Sequence, residues 1–171
     1  MLDAFERILV DESARAATLD ATARAAGVSK GGLLYHFASK DALEAALIER
    51  LQALVDADIA NIENAAEGPV AYFVRSSVMD DDELDRVIVA TSRLAQGGHS
   101  GATTALREMR ERWEAVLRPH TRDAAALDLV MLVSDGLYFN NALGGDTPLA
   151  VVPQEKALDD LVALVARVAA P

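Results

Sequence analysis

The amino-acid sequence predicts an all-α protein: a small three-helix part followed by about six further helices. Three observations lead there. Hydrophobic residues are 51% of the 171 but aromatics only 5%, and alanine and leucine, both strong helix formers, supply much of the difference. Only ten glycines and five prolines interrupt the chain. Apolar residues also recur at three- and four-residue spacing, the period of a helix with one buried face.

Taken in order, Leu2, Phe5, Ile8 and Leu9 form the stripe of a first amphipathic helix ending near residues 11–13. Thr18 caps a second helix, with Asp20 favourably placed in its first turn. That helix stops at Gly27, a residue that tolerates the left-handed conformation common at helix ends. Ser29 caps a third helix running from Lys30 to about Phe37, with Leu33 and Phe37 on its inward face. Two short helices joined by so tight a glycine-containing turn match a helix-turn-helix.

Ser39 caps a long fourth helix, to about Asn64, with Leu43, Leu47, Leu51, Leu54, Val55 and Ile62 as its apolar stripe. From Pro69 on, helices are expected over about 70–78, from the acidic cluster at 80–83 to about 95, and over 105–118. A flexible loop is expected at 97–101. The next helix, about 122–143, is apolar nearly all round, so it should be buried on more than one side, the second side against a partner subunit. Pro153 suits the first turn of a last helix striped by Leu158, Leu161, Val162, Val165 and Val168.

The formal net charge is −11 and the pI about 4.6. Residues 1–50 carry six Lys/Arg against eight Asp/Glu, a difference of −2; residues 51–171 carry ten against nineteen, a difference of −9. Diffuse attraction to nucleic acid through a basic surface is therefore excluded, and any DNA binding rests on a few well-placed groups. The absence of cysteine excludes disulfides, thiolate metal sites and cysteine nucleophiles. No apolar run reaches membrane-spanning length and no signal peptide is evident, so a cytoplasmic protein without membrane association is expected. No metal-ligand spacing, serine–histidine–aspartate arrangement, HExxH or phosphate-binding loop is found. Neither a cofactor, a metal nor an enzymatic activity is expected.

Residues 18–47 resemble the N-terminal DNA-binding domain of the TetR family of bacterial transcriptional regulators. The resemblance is carried by Thr18, Ala23, the run from Ala26 to Gly31, Leu33, Tyr35-His36-Phe37, and Ser39-Lys40-Asp41-Ala42-Leu43. The wording SKGGLLYHF is similar to a sub-pattern of that family, and Asp135-Gly136-Leu137 is similar to a phrase in its multidrug-sensing members. The resemblance implies a homodimer that binds a palindromic DNA operator and is released by a small-molecule effector, most simply as a repressor. It divides the chain into a DNA-binding domain, 1–41, and a ligand-binding and dimerisation domain, 42–171, with dimerisation through the last two helices. The chain departs from the family pattern in starting inside the first helix, where a basic arm usually precedes it. It also has Ser13 for a glycine, Asp20 where a neutral or basic residue often faces DNA, and Ala38 for a proline. A protein-controlled DNA-binding dimer, and a helical binding protein or enzyme with a vestigial helix-turn-helix, are the alternative readings.

The DNA-binding candidates are Thr18, Ser29, Lys30, Gly31, Gly32, Leu34, Tyr35, His36 and Lys40. Lys30 and Lys40 are expected at phosphates. Thr18 and Ser29 either bond phosphates at helix N-termini or are simply caps. Gly31 and Gly32 would let the backbone approach DNA, since two adjacent helical glycines otherwise cost roughly 1 kcal/mol each. Tyr35 and His36 should reach phosphate or base edges, a core histidine or a metal ligand being the alternatives for His36, and Leu34 either meets a thymine methyl or is merely exposed. The effector candidates are Phe73, Met79, Met109, Trp113, Met131, Asp135, Tyr138 and Phe139, each of which could equally be core. Trp113, Glu114 and Asp135 suggest an aromatic face with a carboxylate, suited to a lipophilic or cationic compound.

Overall fold

The computed structural model describes residues 1–78, 83–144 and 152–171, and the side chains of these except 142–144. Among the described residues there are nine α-helices, one 3-10 turn and no strand. The helices are α1 (Leu2–Asp11), α2 (Leu19–Ala25), α3 (Lys30–His36), α4 (Lys40–Glu63), α5 (Pro69–Ser76), α6 (Glu83–Gln96), α7 (Ser100–Leu117), α8 (Ala124–Gly144) and α9 (Glu155–Ala169).

Contacts divide the chain into two compact units: Met1–Asp56 with Asp81–Met109, and Ala57–Asp80 with Arg110–Pro171. In the first, α1 packs chiefly on α6, and α2 on α3. Phe5, Leu9, Leu33, Leu43, Leu47 and Leu51 are among its fully buried side chains. The i, i+4 spacing of the leucines on α4 is what puts them on one face. Phe37, expected inside with Leu33, is only half-buried, because α3 ends one residue earlier and Phe37 is its extended C-cap.

An ion-pair cluster joins three helices of this unit. Arg50 of α4 reaches Asp3 Oδ1 at 2.5 Å and Glu6 Oε2 at 3.2 Å on α1, and Glu83 on α6. Arg86 of α6 lies 3.6 Å from Glu6 Oε1. Burial pushes the Glu6 carboxyl above its usual pKa, against the pull of Arg50 and Arg86. The Arg50 hydrogen bond holds exposed Asp3 below its own.

The stretch expected as a loop at 97–101 is a turn over 97–99, but its last two residues already belong to a helix. His99 Nδ1 accepts the Ala102 N–H at 3.0 Å, and Thr103 N–H reaches the His99 carbonyl, so α7 begins at Ser100. A histidine serving as N-cap is outside the usual Ser/Thr/Asp/Asn set, which hid this start from sequence reading. Gly97 is packed against the loop between α1 and α2: a Cβ there would lie 3.1 Å from that of Ala14.

In the second unit α5 packs on α9 and α8. The core includes Ile62, Phe73, Val74, Leu117, Leu127, Val130, Met131, Val162 and Val165. Phe73 and Trp113 meet edge to face with ring centroids 5.5 Å apart. Helix α8 buries Ala126, Leu127, Val130, Met131 and Leu137 but leaves Leu132 65% and Phe139 62% exposed. Leu164 of α9 is 45% exposed. Helix α8 therefore has one dry face and one apolar face in solvent.

Candidate nucleic-acid interface

The turn between α2 and α3 is built by local chemistry. Thr18 Oγ1 accepts the Ala21 N–H at 3.1 Å and so opens α2. At its end Val28 N–H bonds the Ala23 carbonyl and Gly27 N–H the Arg24 carbonyl, while Gly27 sits at φ +68°. This is the Schellman arrangement that favours glycine. Two residues later Ser29 Oγ accepts the Gly32 N–H at 3.0 Å and starts α3.

The two adjacent glycines of α3 have different reasons. A Cβ on Gly32 would stand 3.3 Å from Ser29 Oγ, so Gly32 makes room for the cap. A Cβ on Gly31 would find nothing nearer than 4.0 Å; Gly31 is exposed, and the expectation of a close backbone approach rests on it alone.

With Leu33 buried, α3 turns Lys30, Gly31, Leu34, Tyr35 and His36 outward. Tyr35 is 86% exposed, and its ring meets that of His36 edge to face at 5.2 Å. A large aromatic left in solvent on a seven-residue helix gains nothing from burial. It is a side chain available to a partner surface.

Both candidate phosphate lysines have partners within the chain. Lys30 Nζ lies 2.9 Å from Asp20 Oδ2, from α3 to α2, with both groups exposed. Lys40 Nζ donates to the Ala14 carbonyl at 2.7 Å and stands 3.6 Å from Glu44 Oε1. The second oxygen of the buried Glu44 carboxylate is 3.5 Å from His99 Nε2. These partners were missed in sequence, although Lys40 and Glu44 carry a visible i, i+4 signal.

The effector candidates scatter. Phe73 and Met131 are core, Trp113, Met109 and Tyr138 half-buried, and Phe139 exposed. Met79 lies outside the described residues. Trp113 Nε1–H is donated to Asp58 Oδ2 at 2.8 Å. Asp135 is held by Arg110, whose Nη1 reaches its two oxygens at 2.9 and 2.7 Å; Arg110 also pairs with Glu114. The carboxylates expected to receive a cation are therefore already gripping an arginine. A buried hydroxyl pair, Ser77 Oγ to Ser134 Oγ at 2.6 Å, joins α8 to the residue after α5 and was not foreseen.

Among the described residues no group of three His, Cys, Asp or Glu could hold a metal ion, and no helix is long and apolar enough to cross a membrane.

Comparisons with known proteins agree with this architecture. A family model described as "Bacterial regulatory proteins, tetR family" matches residues 1–47. A second, described as "Tetracyclin repressor-like, C-terminal domain", matches residues 67–166. No curated protein sequence matches the chain. Among solved structures, the crystal structure of a TetR-family transcriptional regulator from Rhodococcus sp. is similar in fold, with a TM-score of 0.59 at 16% identity, over 98% of this chain and 95% of that one. A capped helix-turn-helix within the region of the first family model, followed by a helical region that the second matches over more than half of the chain, identifies this chain as a member of the TetR family of transcriptional regulators.

Proposed function

We propose that the protein is a ligand-responsive repressor that binds a palindromic operator as a homodimer and is released by a small lipophilic effector. In this reading residues 1–41 read the DNA, and residues 42–171 bind the effector and dimerise. The observation that carries it is the outward face of α3, where Tyr35 and His36 stand in solvent with Lys30 on the same helix, while hydroxyl caps at Thr18 and Ser29 open α2 and α3 and Lys40 opens α4. Short helices with exposed N-terminal amides and hydroxyls suit phosphates, and the projecting side chains suit base edges. The half-sites would lie one helical turn, roughly 34–36 Å, apart.

Dimerisation through α8 and α9 is supported by Leu132, Phe139 and Leu164, which expose apolar area that a second copy would cover. A lipophilic effector is supported by the Phe73–Trp113 aromatic pair, which shares the apolar core of the second unit with Met131. A cation is disfavoured because Arg110 occupies Asp135 and Glu114.

The test is selection of bound fragments from a random duplex pool, repeated with neutral lipophiles and cationic dyes. The reading expects an inverted-repeat consensus, lost on adding a lipophile. Recovery of no consensus at any salt concentration would refute it.

A further inference from the structure

The lysines that the DNA-binding reading places at phosphates are each met by a carboxylate of the same chain. Lys30 is 2.9 Å from Asp20, and Lys40 is 3.6 Å from Glu44 while donating to the Ala14 carbonyl. We propose that Asp20 and Glu44 are built-in phosphate competitors that hold these two ammonium groups in the free protein and suppress binding to non-specific DNA. The proposal rests on the DNA-binding reading of this face and deepens it.

Non-specific affinity comes almost wholly from phosphates neutralised by lysine and arginine, with release of their counterions. At each of these two points the lysine and its partner sum to zero charge. A phosphate approaching Lys30 must displace an anion and then face it. An exposed ion pair is weak, so the displacement is easy when other contacts hold the duplex in register. Operator contacts by Tyr35, His36 and the backbone at Gly31 can supply that register; mixed-sequence DNA lacks it. The pairs therefore subtract from every complex but subtract least, in proportion, from the one with the most other contacts.

The structural alternatives are that Asp20 only favours the first turn of α2 and that Glu44 is only an i, i+4 partner. Salt dependence separates these from the proposal, because a purely structural role would leave the number of released counterions unchanged. The probe is a short fluorescein-labelled duplex of mixed sequence, beside a duplex from the random-pool selection, titrated at several salt concentrations. Asp20 is exposed, so Asp20→Asn leaves the fold intact and is the primary variant. It should tighten mixed-sequence binding about two- to five-fold per head and steepen the slope of log affinity against log salt by about one unit per head. The gain should shrink when Lys30→Ala is combined with it, leaving only loss of repulsion. Glu44→Gln should act in the same direction at Lys40, with a melting curve to show that it folds.

Unchanged affinity and slope in Asp20→Asn, alongside weaker binding in Lys30→Ala, would overturn the proposal and leave the DNA face standing. Normal affinity in both Lys30→Ala and Lys40→Ala would overturn the reading of the face itself, and the proposal with it.

Discussion

The indole Nε1–H of Trp113 on α7 is donated to Oδ2 of Asp58 on α4 at 2.8 Å, while the Trp113 ring meets the buried Phe73 of α5 edge to face. One side chain thus ties three helices of the second unit, through a charge-assisted hydrogen bond and an aromatic contact. Hydrogen bonds to charged groups contribute about 1.5–3 kcal/mol. Asp58→Ala should lower stability by about 1–2 kcal/mol, or about 2–6 °C in melting temperature for a chain of this size. Trp113 is the only tryptophan, so the same variant should shift its fluorescence emission. Unchanged melting and emission would show that the bond is not formed in solution.

The outward face of α3 makes a second prediction. Tyr35 and His36 are exposed and contribute little to packing, so Tyr35→Ala with His36→Ala should change stability by no more than about 0.5 kcal/mol. Operator binding should be abolished while the dimer survives in sedimentation. Lys40→Ala should also abolish it, with a small loss of stability because the Ala14 carbonyl loses its donor. Near-normal operator affinity in these variants would place the DNA face elsewhere.

The exposed apolar face of α8 leads to a third. Leu132→Glu with Phe139→Glu puts charge where the proposed partner copy sits, and burying an unpaired carboxylate is strongly unfavourable. Sedimentation at micromolar concentration should show the variant as a folded monomer with weakened operator binding. A dimer as tight as the parent would mean that another surface mediates association.

The buried carboxyl of Glu6 adds a pH dependence. Its pKa is raised, chiefly by desolvation, so the folded state holds that proton more tightly than the unfolded state does. By linkage, protonated Glu6 favours folding at acid pH, and this contribution disappears as pH rises through the folded value. Asp3 runs the other way: its lowered pKa gives stability above the unfolded value that is lost as pH falls through the folded one. Glu6 Oε2 also receives no aligned hydrogen bond, although Arg50 Nη1 is 3.2 Å away. Glu6→Gln should match the parent in acid and exceed it at neutral pH in urea melts. A large loss at neutral pH would show that Arg50 and Arg86 offset the burial of the charge.

By itself the sequence determined the helices and the turn. Thr18, Gly27, Ser29 and Ser39 act on backbone groups within a few residues, and each caps or ends a helix where its chemistry allows. The leucine stripe of α4 and the outward Tyr35 follow from helical period alone, because a side chain's face is set by its position along the same helix. What only the tertiary structure decided is which charges meet. Lys30 finds Asp20 ten residues away, Arg50 finds Glu83 thirty-three away, and Arg110 finds Asp135 twenty-five away. Glu44, already the i, i+4 neighbour of Lys40 on α4, also meets His99. Local rules are silent on such pairs, because they depend on which helix faces which. The residues of the proposed DNA face were therefore legible in the chain, and so was the i, i+4 pairing of Lys40 with Glu44, while the pairing of Lys30 with Asp20 became visible only once α2 and α3 were folded together.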